Sequence, residues 1–213
     1  MTIKEKDFIE IEFSGRVKGG DTFDSTKKQD AKTLGIKEES LKPLILSVGN
    51  EMVVDGLDKD FIGKEVGKDY SIEIQPENAF GKRDPTLIQM VPLANFKEQD
   101  VFPQKGMQFS FDGRLAKVVS VSGGRILVDF NNALAGRVII YDYKILRKVE
   151  DKKEQIDALQ EFFFRRKFDS KIEGNIAKIK IEKKVAPLFE LMKKKFEDII
   201  SLKVELEILS EKA

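Results

Sequence analysis

The stretch PLILSVGNEMVVDGLDKDFIGKEVGKDYSIEIQPENAFG, Pro43 to Gly81, changes its period twice within one segment. Its opening, PLILSVGN, has strand character. In VVDGLDKDFIG, Asp55 stands where a helix cap would, Leu57, Phe61 and Ile62 share a side, and Gly63 is placed to end the helix in the left-handed conformation. Tyr70, Ile72 and Ile74 then alternate with Ser71, Glu73 and Gln75, which is the period of a strand with one face buried. Pro76, Asn78 and Gly81 mark irregular backbone beyond it. The segment therefore reads strand, short helix, strand.

Working outward, DFIEIEFSG places Ile9, Ile11 and Phe13 on one face of a strand and Glu10 and Glu12 on the other. DTFDST follows, and a polar, lysine-rich stretch to Lys42 predicts a long loop with one helical turn. From Asp84 the texture changes. DPTLIQMVPLANFKEQDVFPQKG holds three of the six prolines and no clear period. It leads into MQFSFDG, RLAKVVSVSGG and RILVDF, where the DG and GG pairs between alternating runs predict a small antiparallel meander. Residues 85–129 are expected to be a small β-rich domain inserted into a first domain made of 1–84 and 130–150. NNALAG is a loop, and RVIIYDYKILRKV returns as a strand.

The remainder, 151–213, reads helix, strand, helix, strand. Ile156, Leu159, Phe162 and Phe163 recur at helical spacing, and NIAKIKIEK alternates. Pro187 opens a helix that carries Phe189, Met192, Phe196 and Ile199, and Leu202, Val204, Leu206 and Ile208 alternate. So short an α+β unit buries little surface alone and is expected to lean on a partner. Three adjacent aromatics, Phe162, Phe163 and Phe164, cannot all enter one small core, which predicts homodimerisation through residues 151–213.

Composition limits the chemistry. Of 213 residues, 41% are hydrophobic and 35% charged, as in soluble globular chains. Lys plus Arg at 38 nearly cancels Asp plus Glu at 37, so no single-sign field points to nucleic acid or an anionic membrane. With no cysteine and no histidine, disulfides, thiolate nucleophiles and the usual transition-metal sites are excluded, and only all-oxygen ligation remains. No apolar run approaches the ~18 residues of a membrane span, and MTIKEKDF does not resemble a secretory signal, so the cytoplasm is the expected compartment. VKGGD and VSGGR lack the spacing of a phosphate loop and read as turns. DGLDKD resembles half a calcium loop without its glycine and final glutamate, and reads as a helix with a solvated acidic face. The basic runs at Arg165–Lys167 and Lys193–Lys195 read as solvated helix faces.

What remains is a set of apolar and aromatic residues at strand ends and loops, with one acid, Asp24. At FDST, the Pro43–Gly81 stretch, DPTLIQMVP and NNALAGRVIIYDYKIL, in that order over about residues 3–149, the chain resembles the FKBP family of peptidyl-prolyl isomerases. It is more closely similar to the SlyD-type branch, which carries an insert-in-flap chaperone domain. The C-terminal part resembles, more loosely, the extra domain of longer archaeal members. The resemblance implies an α+β fold: a curved antiparallel sheet wrapped on a short helix, with the small β-rich insert and a C-terminal α+β domain. It also implies a prolyl pocket of Phe13, Phe23, Asp24, Leu44, Leu46, Met52, Val53, Val54, Leu57, Phe80, Leu134 and Tyr141. Phe80 stands where the family usually has tyrosine, and Asn132 replaces a common histidine. The histidine-rich tail is absent. Taken singly, Phe13, Val53 or Leu57 also reads as ordinary core, and Asp24 as a residue that ties down a turn through neighbouring amides.

The activity implied is isomerisation of X–Pro bonds in unfolded or partly folded polypeptides, with no cofactor and no metal. Twisting the planar amide reduces its charge separation, so an apolar pocket that strips its water favours the transition state. Asp24 would then be a fixed dipole or hydrogen-bond acceptor rather than a proton-transfer group. Leu87, Ile88, Met90, Val91 and Phe96 of the insert, for which no period predicts burial, are the expected client-binding residues. Two other readings stay open: a chaperone or peptide-binding module with little isomerase activity, and an oxygen-ligand metal enzyme using the acids of Asp55 to Asp60.

Overall fold

The computed structural model describes residues 1–97, 101–111 and 113–209, with Lys97 described in its main chain only. By contacts between Cα atoms it divides into two compact units, Met1–Ile74 with Ile139–Ala213, and Gln75–Val138. β1 (Phe8–Val17) alternates as its sequence requires, with Ile9, Ile11 and Phe13 buried. β2 (Thr22–Ser25) follows a tight turn, and the lysine-rich stretch contains α1 (Ala31–Leu34) between two 3-10 turns. β3 (Leu44–Ser47), α2 (Asp55–Asp60) and β4 (Asp69–Ile74) complete this part.

Three expectations for α2 are corrected. Asp55 is not the cap: Val54 holds that position without a side-chain hydrogen bond, and Asp55 sits inside the helix, paired with Lys59 at 2.8 Å. Nor is the acidic face all solvated. Asp58 is 4% exposed, and its two carboxylate oxygens accept the Gly49 and Glu51 N–H groups at 2.8 and 3.0 Å. These bonds hold the turn that delivers Met52 and Val53. Ile62, expected on the buried side, is 49% exposed.

The second unit contains β5 (Ile88–Pro92), α3 (Leu93–Lys97), β6 (Gln108–Phe111), β7 (Arg114–Ser122) and β8 (Arg125–Asp129). They form an antiparallel sheet in the order β5-β8-β7-β6. Gly123 and Gly124, both at positive φ (54° and 76°), make the two-residue turn between β7 and β8, a backbone that side-chain-bearing residues resist. β5 has no counterpart in the sequence reading. Its proline could be accommodated because β5 is an edge strand, where a missing N–H costs no ladder bond. Val91 and Phe96 enter the core of this unit at 8% and 2% exposure, with Ala116, Val118, Ile126 and Val128. They are therefore not open to a client, contrary to expectation, while Leu87 and Ile88 are half-buried and Met90 is 65% exposed.

The chain returns to the first unit in β9 (Ile139–Lys148), followed by α4 (Lys152–Phe164), β10 (Ser170–Glu173), β11 (Ile176–Glu182), α5 (Ala186–Ile200) and β12 (Lys203–Leu209). The main sheet is antiparallel, in the order β2-β1-β9-β4, with β3 also paired to β1. Tyr143 and Ile145 of β9 lie opposite Phe13 and Ile11 in register, so one face collects the apolar residues of every strand. α2 covers that face through Leu57 and Phe61, both 0% exposed. Phe61 meets the Tyr143 ring edge-on at 5.1 Å, and the Tyr143 hydroxyl donates to Asp60 at 2.6 Å. This pins the helix to the sheet.

The C-terminal part has one strand more than expected, β10, in a sheet ordered β10-β11-β12 with β12 parallel to β11. Its three adjacent phenylalanines divide as helical spacing demands. Phe164 stacks on Phe189 at 4.6 Å, Phe163 meets Phe196 at 6.4 Å, and Phe162 lines a groove of about 470 Å3 with Pro43, Leu44, Ile45 and Met52. Phe162, the one of the three that was left needing a partner, is half-buried and faces this groove. Among the described residues, no helix is long and apolar enough to cross a membrane.

Candidate active site

The site is built where β2 meets β1. Gly15 pairs with Asp24, but Arg16 pairs with Thr22, so Phe23 is an extra residue, a β-bulge. A bulge re-aims side chains that alternation would send to opposite faces. Here Phe23 and Asp24 both approach Tyr141 of β9, which lies opposite Gly15 on the other side of β1. Phe23 meets the Tyr141 ring at 6.1 Å and Phe13 meets it at 5.7 Å, both edge-on. Gly15 makes this possible by having no side chain: a Cβ there would stand 2.7 Å from Cε1 of Tyr141. Gly15 was not among the residues singled out from sequence, because SGR between strand residues carries no signal of what lies above it.

The hydroxyl residues after Asp24 fasten the bulged strand. Thr26 Oγ1 accepts the Phe13 N–H at 2.8 Å, and Ser25 Oγ lies 2.9 Å from the Phe13 carbonyl and 2.6 Å from Asp30. Asp24 is exposed as a residue, yet the packing around its carboxyl raises its pKa above the ordinary aspartate value, opposed by a hydrogen bond from the Ser25 N–H. That bond is the turn-fastening role considered for Asp24, and it coexists with a place at the aromatic wall. The Tyr141 phenol is pushed well above its usual pKa, first by burial and then by the Asp24 charge, so it remains a protonated donor. Its hydroxyl makes no hydrogen bond with the described residues.

The other expected residues are distributed as follows. Leu46 and Leu57 are 0% exposed and serve as core beneath the site rather than as its surface. Leu44, Val53 and Val54 are half-buried, and Met52, 8% exposed, accepts the Ser47 N–H on its sulfur at 3.2 Å. Phe80 and Leu134 belong to the second unit and are half-buried there. The acids considered for a metal are otherwise engaged: Asp55 with Lys59, Asp58 with two main-chain amides, and Asp60 with Tyr143 and Lys64. Among the described residues no group of three or more potential ligands is placed to hold a metal ion.

A family model described as FKBP-type peptidyl-prolyl cis-trans isomerase matches residues 1–97, and one described as FKBP26, IF domain matches residues 89–134. A short-type peptidyl-prolyl cis-trans isomerase of Methanocaldococcus jannaschii is 32% identical over 145 residues, covering 67% of this chain and 92% of the relative. The chain belongs to the FKBP-type peptidyl-prolyl cis-trans isomerases. A probable FKBP-type 16 kDa isomerase of Pseudomonas fluorescens is 27% identical over 143 residues, 65% of this chain and 86% of the relative. The SlyD isomerase of Haemophilus influenzae is 30% identical over 119 residues, 54% of this chain and 62% of the relative. As an FKBP-type enzyme the protein interconverts cis and trans X–Pro bonds of proline-containing polypeptides. The antiparallel main sheet with its helix α2 is the FKBP-type fold, of the α+β class.

Proposed function

We propose that the enzyme isomerises X–Pro bonds without covalent chemistry, in a pocket walled by Phe13, Phe23, Asp24 and Tyr141 and bordered by Leu44, Met52, Val53 and Val54. The observation that carries this reading is the aromatic wall itself: two phenylalanine rings edge-on to Tyr141, over a residue with no side chain, with one carboxyl held partly out of water. Such a surface accepts a proline ring and strips water from its amide. An acceleration of ~10⁴-fold requires about 5.5 kcal/mol at ~1.36 kcal/mol per decade, within reach of desolvation plus one or two hydrogen bonds made in the twisted state.

The division of roles follows from the groups present. Asp24 acts as a fixed acceptor that orients the substrate amide or a neighbouring donor. The Tyr141 hydroxyl is the donor available to the substrate carbonyl, in a chain where Phe80 carries no hydroxyl. Neither group transfers a proton.

The insert, matched by the IF-domain model, serves as a client-holding domain that raises the local concentration of unfolded chains for the isomerase. Residues 151–213 form a C-terminal α+β domain of the long archaeal kind, and Leu188 and Leu191 on α5, 50% and 78% exposed, support dimerisation through it. Replacing residues 85–129 by a short turn tests the division of labour. Isomerisation of a short proline peptide should survive within about tenfold, while catalysis of proline-limited refolding of a whole protein falls much further. An unchanged ratio of the two activities would remove the client-holding role.

A further inference from the structure

Within the second unit an open cavity of about 590 Å3 lies beside β7, between the start of β6 and the loop after β8. Its floor is apolar, made by Leu115, Val119 and Phe130, and Leu115 is 64% exposed. Around that floor stand Arg83, Lys105, Lys117 and Arg137, with Asp129 as the only acid among the described residues. Asp129 is already occupied: its carboxylate accepts from the Arg83 guanidinium, and from the Asn131 main-chain N–H and side-chain amide at 3.0 and 2.7 Å. Lys105, Lys117 and Arg137 make no ion pair among the described residues.

We propose that this trough is a client subsite selective for extended polypeptide segments in which acidic side chains alternate with apolar ones. The inference rests on the reading that the insert holds clients, and it names the clients that fit. The apolar floor supplies binding that is indifferent to sequence, because burial of apolar surface has no direction. Lys105, Lys117 and Arg137, which form no ion pair among the described residues even though Lys117 lies opposite the occupied Asp129, then set the sign of the preference, attracting carboxylates and repelling basic segments. The preference is local rather than a field of the whole chain, whose 38 basic and 37 acidic residues nearly cancel. Single-stranded nucleic acid, the other polyanion, would need a row of stacking platforms, and the floor offers one ring, Phe130.

The test uses the full chain and three fluorescein-labelled, unstructured peptides of equal length and apolar content, one acidic, one uncharged and one basic, with binding read by anisotropy. The acidic peptide should bind roughly tenfold tighter than the basic one at low salt, since each exposed charge pair contributes well under a decade, and the gap should shrink as salt is raised. Lys105→Glu, Lys117→Glu and Arg137→Glu combined should invert the order. The gained affinity for the basic peptide shows that this variant is folded. Binding that is lost with residues 85–129 but is indifferent to peptide charge would overturn the subsite while leaving the client-holding role intact. Binding that persists without residues 85–129 would overturn both, and tighter binding of an oligothymidylate of matched charge would replace the polypeptide by nucleic acid.

Discussion

The Cβ that Gly15 lacks would lie 2.7 Å from Cε1 of Tyr141, closer than real Cβ contacts come, and 3.2 Å from Cζ of Phe23. The aromatic wall therefore exists only because that position is empty. Gly15→Ala should force the Tyr141 ring aside and lower kcat/KM by on the order of 10–100-fold, the scale of a misplacement of about 1 Å. Overpacking should also cost about 1–3 kcal/mol of stability. Tyr141→Phe keeps the ring and removes the hydroxyl, and should lower kcat about tenfold, the worth of one hydrogen bond made in the twisted state. Peptide kinetics beside thermal unfolding separate the two variants, and an alanine at 15 with full activity would mean that the wall is not the catalytic surface.

Asp24 gives a pH signature whose sign is fixed by its raised pKa. A carboxyl raised above its unfolded value favours the folded state below about pH 4, and that contribution is lost as the pH rises through the folded-state pKa. At neutral pH the ionised group is thus a mild burden. Asp24→Asn should melt at a slightly higher temperature than wild type at pH 7, with the gain vanishing at the acid end, and should lose part of its activity. Activity of the wild type should be flat from about pH 6 to 8 and inflect only on the acid side, an inflection absent from the Asn variant. An Asn variant less stable at pH 7 would contradict a carboxyl whose charge is penalised by its surroundings.

Asp58 acts on the fold through its main-chain partners. Its carboxylate satisfies the Gly49 and Glu51 N–H groups from a site 4% exposed. Asp58→Ala leaves both amides unpaired and should cost about 2–4 kcal/mol, with the urea midpoint as the measurement. Asp55→Ala, which removes only an exposed pair with Lys59, should cost less than ~1 kcal/mol.

Dimerisation through the C-terminal part now rests on Leu188 and Leu191 rather than on the three phenylalanines. Sedimentation at tens of micromolar should show a dimer that Leu188→Glu with Leu191→Glu dissociates. A wild-type monomer at that concentration would end the idea.

The strands and helices that carry a clean period were legible: β1, β4 and α5 fall where alternation or helical spacing put them. What the sequence hid depends on tertiary context. β5 is held by pairing with β8, and its proline masks it. Asp58 looked like one acid among several until its two amide partners were in place. The bulge at Phe23 follows from the register between β1 and β2, which no local pattern encodes. The wall residues Phe13, Phe23, Asp24 and Tyr141 could be named from the resemblance, whereas Gly15 could not, because its role is the space it leaves.

The central claim is that rotation occurs by desolvation and fixed hydrogen bonds, with no proton in flight. The most direct measurement is the solvent isotope effect on kcat/KM for a short proline peptide, followed without a coupling protease in H2O and D2O across pH 6 to 8. The account predicts a ratio near unity with a flat profile, as expected of a site with no group titrating in that range. A normal isotope effect well above one, with a bell-shaped profile centred near neutrality, would contradict it.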